Sequence, residues 1–488
     1  MDDNELKNKT ITGSFWSLIE RFGYLSCQFL SNLVLARLLM PDDFGTIGLL
    51  MVFVTLSNVL IDSGLTASVI QKEKVTETDK ATVFITNIVL AISVYLIIFF
   101  AAPFIASYFK SPDLTLFLRC LELIVIIDAL CAIQNSLLMR DMDFKILTKI
   151  KLISIVISAG IAIALAYYGL GIWALIIQYI LFSTIRTLLT WFVTKWHPSF
   201  DFSIESFKSL FSYGSKLLVS TFVAELYVNL QQLLIGRFYT SADLGYYSQA
   251  RLFQNIPTGT VSQVINSVAF PAYAKLQSKR EKLLEMFRQN IRFVAFVNTP
   301  LMVLLAVVAY PLFVFLYSEK WIGAVGYFQF LCIFFGIFLA IHQCSLSLLK
   351  AIGRSDYVLH LEIIKKILGI AFIFIGMKIW GIWGILYALG LNSFIEIFLN
   401  GFYVKKELGY GGVNVLIDIA PSLLVSLISG CLAYLALRYL FTFDSYFLQT
   451  VLASLLFVLT YVIIAWVFGM YGFKIVCKLV ARFIHGRK

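Results

Sequence analysis

The chain has 488 residues, of which 60% are hydrophobic and 14% charged, with a formal net charge of +11. Soluble domains carry about 25% charged and ~45–50% apolar residues, so a soluble enzyme or soluble binding module is excluded. The 16% aromatic content excludes disorder. The cations sit in short connectors between apolar runs, so the excess charge is a topology signal rather than a nucleic-acid surface.

A bilayer-spanning helix needs roughly 20 mainly apolar residues. By that measure the sequence predicts fourteen spans, at 11–39, 45–70, 81–108, 114–138, 146–168, 170–194, 211–238, 244–273, 291–317, 322–349, 357–377, 380–403, 414–440 and 447–472. A transmembrane barrel would need alternating segments of about 10 residues, which are absent. The fold class expected is therefore all-α and polytopic.

Lys and Arg fix the expected orientation. With the N-terminus cytoplasmic, inner connectors hold most of the cations, including Lys72, Lys74, Lys80, Arg140, Lys145, Lys195, Arg280, Lys405 and Lys406. Outer connectors hold only Lys110, Lys320 and Lys378. Both termini are expected inside. The polar opening MDDNELKNKT and the long apolar run after it do not read as a cleavable signal.

An internal repeat is visible. ARLLMPDDFG (36–45) recurs as GRFYTSADLG (236–245), pairing Arg37 with Arg237, Asp43 with Asp243 and Gly45 with Gly245. GIWAL (171–175) recurs as GIWGI (381–385). The expected organisation is a six-helix bundle over 1–198, a second over 199–405, and two further helices with a basic tail over 406–488. Parallel repeats of this kind frame a central cavity in secondary transporters and work by alternating access.

Charges buried in a bilayer cost about 2.5–3.5 kcal/mol each on insertion scales, so they face a cavity or a partner. Arg21, Arg251, Lys365 and Lys366 form the candidate cationic site: Arg offers forked donors to phosphate oxygens and Lys a compact point charge. Glu20, Asp128, Glu225 and His342 are the candidate charge partners or coupling groups. Arg37, Asp43, Arg237 and Asp243 flank the duplicated outer turns and are read as turn caps or an outer gate.

Catalytic chemistry finds little support. There is no GxxxxGK[ST] loop, HExxH or nucleophile triad. The acidic pair Asp42-Asp43 has only Ala242-Asp243 as its repeat, and RDMDF at 140–144 is flanked by neutralising cations. The seven cysteines form no CxxC pair. No enzyme activity, cofactor, metal or nucleic-acid partner is expected.

LARLLMPDDFGTIG, LGYYSQARLFQNIP, VAFPAYAKLQ and SEKW resemble the Wzx-type polysaccharide exporters of the multidrug/oligosaccharidyl-lipid/polysaccharide exporter superfamily. LLMRDMDF followed by GLGIWAL is most similar to its colanic acid and teichuronic acid exporter branch. The resemblance covers roughly residues 11–405. It implies a flippase for an undecaprenyl-diphosphate-linked oligosaccharide in a bacterial cytoplasmic membrane, with membrane lipids and the pathway's polymerase or glycosyltransferases as partners. Composition and spacing alone reach only a two-bundle secondary transporter. A small-molecule or drug exporter of the same superfamily and a lipid II flippase stay open as alternatives.

Overall fold

The computed structural model describes residues 3–62, 65–72, 75–194, 196–199, 201–441 and 443–485. The expected inner cations Lys74 and Lys195 lie outside them. Among the described residues every regular element is a helix. In chain order these are α1 (Asp3–Leu38), α2 (Pro41–Asp62), α3 (Leu65–Gln71), α4 (Glu77–Tyr108), α5 (Leu114–Leu121) and α6 (Leu123–Arg140). Next come α7 (Phe144–Tyr167), α8 (Ile172–Val193), α9 (Ile204–Phe238), α10 (Ser241–Leu276), α11 (Arg280–Val307) and α12 (Ala309–Tyr317). The last are α13 (Ile322–Phe330), α14 (Ile337–Ala351), α15 (Ser355–Leu408), α16 (Gly412–Tyr439), α17 (Tyr446–Val467) and α18 (Tyr471–His485).

Nine stretches among the described residues are long and apolar enough to cross a bilayer. The other five expected crossings are also helical. They fall in α1, in α5 with α6, in α10 and in the two arms of α15, where charged residues, a break or a bend interrupts the apolar run. α18 was not among the expected elements; its apolar residues are interleaved with Lys474, Lys478 and Arg482, the pattern of a helix lying at an interface.

Contacts divide the chain into two compact units, Met1–Gly245 and Tyr246–Lys488. This contact boundary lies well past the repeat boundary read at 198/199, because α9 packs on α2, α3 and α4. In the first unit α7 lies between α1 and α8, and α6 packs on α4 and α8. A core of Leu65, Val69, Val83, Phe84 and Ile133 joins α3, α4 and α6, with Trp191 and Trp196 packed against Phe84. Arg140 closes the end of α3 by donating from Nη1 to the carbonyls of Val69 and Lys72, each at 2.7 Å. In the second unit α11 packs on α14 and α16, and α17 on α12 and α16.

The duplicated motifs adopt duplicated conformations. α1 and α9 end at Leu38 and Phe238, and α2 and α10 begin at Pro41 and Ser241. At the second junction Thr240 and Asp243 form a capping box: Asp243 Oδ2 accepts from the Thr240 N–H at 3.2 Å, and Thr240 Oγ1 from the Asp243 N–H at 3.1 Å. At the first, Asp43 Oδ2 accepts from the Met40 N–H at 3.0 Å and the carboxylate also takes the Ile172 N–H. The junctions cross at Gly45 and Gly245: a methyl on Gly45 would strike the Ser241 carbonyl, and one on Gly245 the Pro41 carbonyl.

The GIW turns match as closely. Gly171 sits at φ +56°, ψ −133° and Gly381 at φ +61°, ψ −139°, a region that strongly favours glycine. Gly381 bends α15 into two antiparallel arms that meet at Gly376 and Gly384, where neither backbone leaves room for a Cβ. Irregularities correspond too. α5 gives way to α6 at Glu122, and 210 residues on (122 to 332) the α13–α14 helix widens into a π-helical turn over Leu331–Gly336.

Candidate functional site

The first unit contains a cavity of about 570 Å³ among α2, α6, α8 and α9. Asp128, Arg186 and Glu225 supply its charges, and Thr55, Asn58 and Asn135 add polar lining. Asp128 Oδ1 lies 2.6 Å from Arg186 Nη2 and accepts the Ser183 hydroxyl. The pair bridges α6 and α8, and Thr187 Oγ1 donates to the Ile127 carbonyl at 3.0 Å beside it. Glu225 on α9 accepts only from Asn229 Nδ2, at 3.3 Å, among the contacts described. Two carboxylates face one guanidinium, a net charge of −1 on the ionisable lining.

The second unit holds a largely buried cluster instead. Glu396, on the second arm of α15, takes Asn392 Nδ2 at 2.8 Å on Oε1. Its Oε2 faces His342 Nε2 at 3.1 Å and Lys365 Nζ at 3.6 Å. Lys365 is only 5% exposed, and Glu362 lies 3.9 Å from it. Asn400 Nδ2 donates to the His342 carbonyl at 3.1 Å, while His342 Nδ1 has no partner among the described residues. Glu396 and Arg186 occupy the same place in the repeat (186 to 396), so one position carries opposite charges in the two copies. In each copy a polar partner comes from the crossing two before it: Asp128 on α6 for Arg186, and His342 on α14 for Glu396.

The sequence-derived candidates separate in this geometry. Arg21 is exposed on α1. Its neighbour Glu20 is not its partner: Glu20 Oε1 binds Lys151 Nζ at 2.9 Å, and Lys151 lies 4.5 Å over the Tyr24 ring. Arg251 stacks its guanidinium 4.1 Å above Phe335 in the π-helical turn, with Nη1 buried and without an acceptor among the described residues. Lys365 is committed to Glu396, while Lys366 points to another face of the helix and is half-buried. Glu20, Asp128 and Glu225 therefore neutralise none of the four candidate cations through the contacts described; Lys151 and Arg186 take the first two. Arg237 lies over the Tyr108 ring at 4.5 Å, and Arg37 is also engaged with protein neighbours.

The pairs that Arg186 and Glu396 form were not expected from the sequence. The signal was their shared repeat position, with Asn392 spaced i, i+4 from Glu396. The sequence likewise assigned no role to Glu122. It is fully buried where α5 breaks, with Ser57 Oγ 3.4 Å from Oε1 and no partner on Oε2 among the described residues. Among the described residues no group of three His, Cys, Asp or Glu side chains could hold a metal ion.

A membrane-spanning helical bundle whose buried charges gather around a polar cavity and in a paired cluster has the build of a secondary transporter. The chain belongs to the polysaccharide biosynthesis protein family, whose model matches residues 34–326. It is 26% identical over 353 residues to the teichuronic acid biosynthesis protein TuaB of Bacillus subtilis (strain 168), covering 72% of this chain and 73% of that protein. It is 26% identical over 403 residues to the lipopolysaccharide biosynthesis protein WzxC of Escherichia coli (strain K12), covering 82% of each chain. Its fold is that of the lipid II flippase MurJ in an inward closed conformation, with a TM-score of 0.74 at 17% identity over 94% of this chain and 98% of that one.

Proposed function

We propose that this protein is a flippase that carries an undecaprenyl-diphosphate-linked oligosaccharide from the cytoplasmic to the outer leaflet of a bacterial cytoplasmic membrane. The observation that carries the proposal is membership of the polysaccharide biosynthesis family over 34–326, joined to relatives named for teichuronic acid and lipopolysaccharide biosynthesis. A diphosphate with sugars attached cannot enter hydrocarbon undressed. Arg251 and Lys366 of the second unit are the proposed diphosphate ligands, since Lys365 already faces Glu396, and Arg21 of the first unit is proposed separately as a cation for the same substrate. Arg251 keeps a buried donor free for an incoming oxygen. The polyprenyl tail stays in the bilayer while the head crosses by alternating access, with both termini on the cytoplasmic side as the Lys and Arg distribution implies.

The cavity of the first unit suits a different ligand. Its net lining charge of −1 favours a cation, so Asp128 and Glu225 are assigned to the coupling ion, a proton or sodium ion, with Arg186 as the competing internal cation. The same acidic lining supports a second reading, export of a small organic cation. No catalytic step is assigned to any residue. Polymerase or glycosyltransferases of the pathway would meet the protein at its cytoplasmic connectors.

A leaflet assay separates the readings. Purified protein is reconstituted with an undecaprenyl-diphosphate oligosaccharide, and the fraction reached by an external sugar-specific enzyme is followed with and without an imposed ion gradient. Protein-dependent exchange that is lost in Arg21→Ala or Arg251→Ala supports the flippase. No exchange, together with uptake of a soluble organic cation, supports the exporter.

A further inference from the structure

We propose that the groove formed by α11, α16, α17 and α18 binds an anionic glycerophospholipid of the cytoplasmic leaflet. The groove is a cavity of about 820 Å³ whose walls include Ile417, Leu424, Ile428 and Phe468, all exposed and apolar. Eleven residues separate Ile417 from Ile428 (428 − 417), a rise of about 16 Å along α16 at 1.5 Å each. That is close to half of a hydrocarbon core of about 30 Å, the depth of one leaflet's acyl chain.

One end of the groove is charged. Asp418 accepts from Arg288 Nε at 3.0 Å, from Arg292 Nη2 at 2.6 Å and from the Tyr410 hydroxyl at 2.6 Å. Two guanidiniums thus share one carboxylate, and Arg292 itself lines the groove. Lys474 folds back over Gly469, next to the groove residues Phe468 and Met470. Glu285, which accepts from Gln289 Nε2 at 3.0 Å, interacts with the groove residue Tyr471. Three cations against two carboxylates leave one positive charge, the complement of a phosphodiester's single negative charge.

α18 completes the argument. Gly472 is pressed onto the Phe296 ring, leaving no room for a side chain there, which ties the start of α18 to α11. Lys474 and Lys478, four residues apart, are exposed. A basic amphipathic helix at the cytoplasmic surface draws anionic lipid to itself, and here it forms a wall of the groove. The assignment to the cytoplasmic leaflet rests on the orientation proposed above; headgroup selectivity does not. A polyprenyl diphosphate carries more charge than the groove's single positive excess complements.

The test is native mass spectrometry of the full-length protein in neutral detergent, titrated with dioleoyl phosphatidylglycerol or dioleoyl phosphatidylcholine. Phosphatidylglycerol should be retained over phosphatidylcholine by at least about fivefold, the effect of one basic residue near an anionic headgroup. Ile428→Trp, which fills the groove, should lower retention of both lipids, and Lys474→Glu should abolish the preference, each without lowering the thermal midpoint. Equal retention of the two lipids, or retention unchanged in both variants, overturns the proposal. Displacement of phosphatidylglycerol by equimolar undecaprenyl diphosphate also overturns it, in favour of a substrate-tail site. Since the readout is binding alone, failure of the leaflet assay leaves it intact.

Discussion

Trp173 meets the Phe117 ring edge-on, with centroids 5.3 Å apart at 84°, and Trp383 meets Tyr327 in the same way at 5.2 Å and 73°. Both members of the second pair lie 210 positions after their counterparts (117 to 327, 173 to 383). The aromatic residues of the GIW turns therefore clamp each bend to a helix further back in the chain, Trp173 to α5 and Trp383 to α13. Such edge-to-face pairs add about 0.5–1.5 kcal/mol beyond the area they bury.

The crossing of Gly45 and Gly245 has no slack, because backbone carbonyls occupy both sites a methyl would need. Gly45→Ala and Gly245→Ala should each destabilise the protein by about 1–3 kcal/mol, the range for forced overpacking. Gly160→Ala, with open space around its Cα, should leave stability unchanged or raise it by up to about 1 kcal/mol. Thermal midpoints in detergent compare the three; a Gly45→Ala protein as stable as Gly160→Ala would contradict the crossing.

Asp243 and Asp43 act as caps in this geometry. Asp243→Ala should cost about 1 kcal/mol and reduce the amount of folded protein, with transport per molecule preserved. Arg37→Ala should follow the same pattern. Complete loss of transport at normal protein levels in either variant would instead assign the residue to an outer gate.

Glu396 neutralises a buried lysine. Glu396→Gln should destabilise the second unit by about 3–5 kcal/mol, the cost of leaving a buried charge uncompensated. The double variant Glu396→Gln with Lys365→Met should regain most of that stability. If the double variant is as unstable as the single one, the Lys365 contact is not what Glu396 serves.

Asp128 and Arg186 should show a coupling energy of about 0.5–3 kcal/mol in a double-mutant cycle, read from denaturation midpoints. Transport gives the other half of the test. The double variant Asp128→Asn with Arg186→Gln should fold well yet lose its response to an imposed ion gradient. A normal gradient response would make the pair purely structural.

Arg251→Lys keeps the charge and loses the flat stack on Phe335, so flipping in proteoliposomes should fall but persist, whereas Arg251→Ala should abolish it. Arg21→Ala should match Arg251→Ala at unchanged membrane levels. Normal flipping by both alanine variants would remove the cationic site from the mechanism.

The helical architecture was legible because a bilayer imposes a length and a composition that no short motif can imitate. The repeat was legible through ARLLMPDDFG and GIWAL, whose glycines the backbone cannot exchange for anything larger. Pairing was not legible. Asp128 and Arg186 lie 58 residues apart and His342 and Glu396 lie 54 apart, so only packing reveals them as partners. The charge inversion between Arg186 and Glu396 hid the second cluster further, since a search for like residues passes over it. α18 escaped because it is too polar for a span and lies beyond the last one.

The break at Glu122 and the π-helical turn at Leu331–Gly336 fall at one register in both copies, although the residues there have diverged from Glu to Cys. A distortion that outlives its own side chains is most simply an heirloom, already present in a six-helix ancestor before its gene doubled. What has been inherited is a bent rod, and each half has since furnished its bend differently: a solitary carboxylate at Glu122, an aromatic shelf for a guanidinium at Phe335.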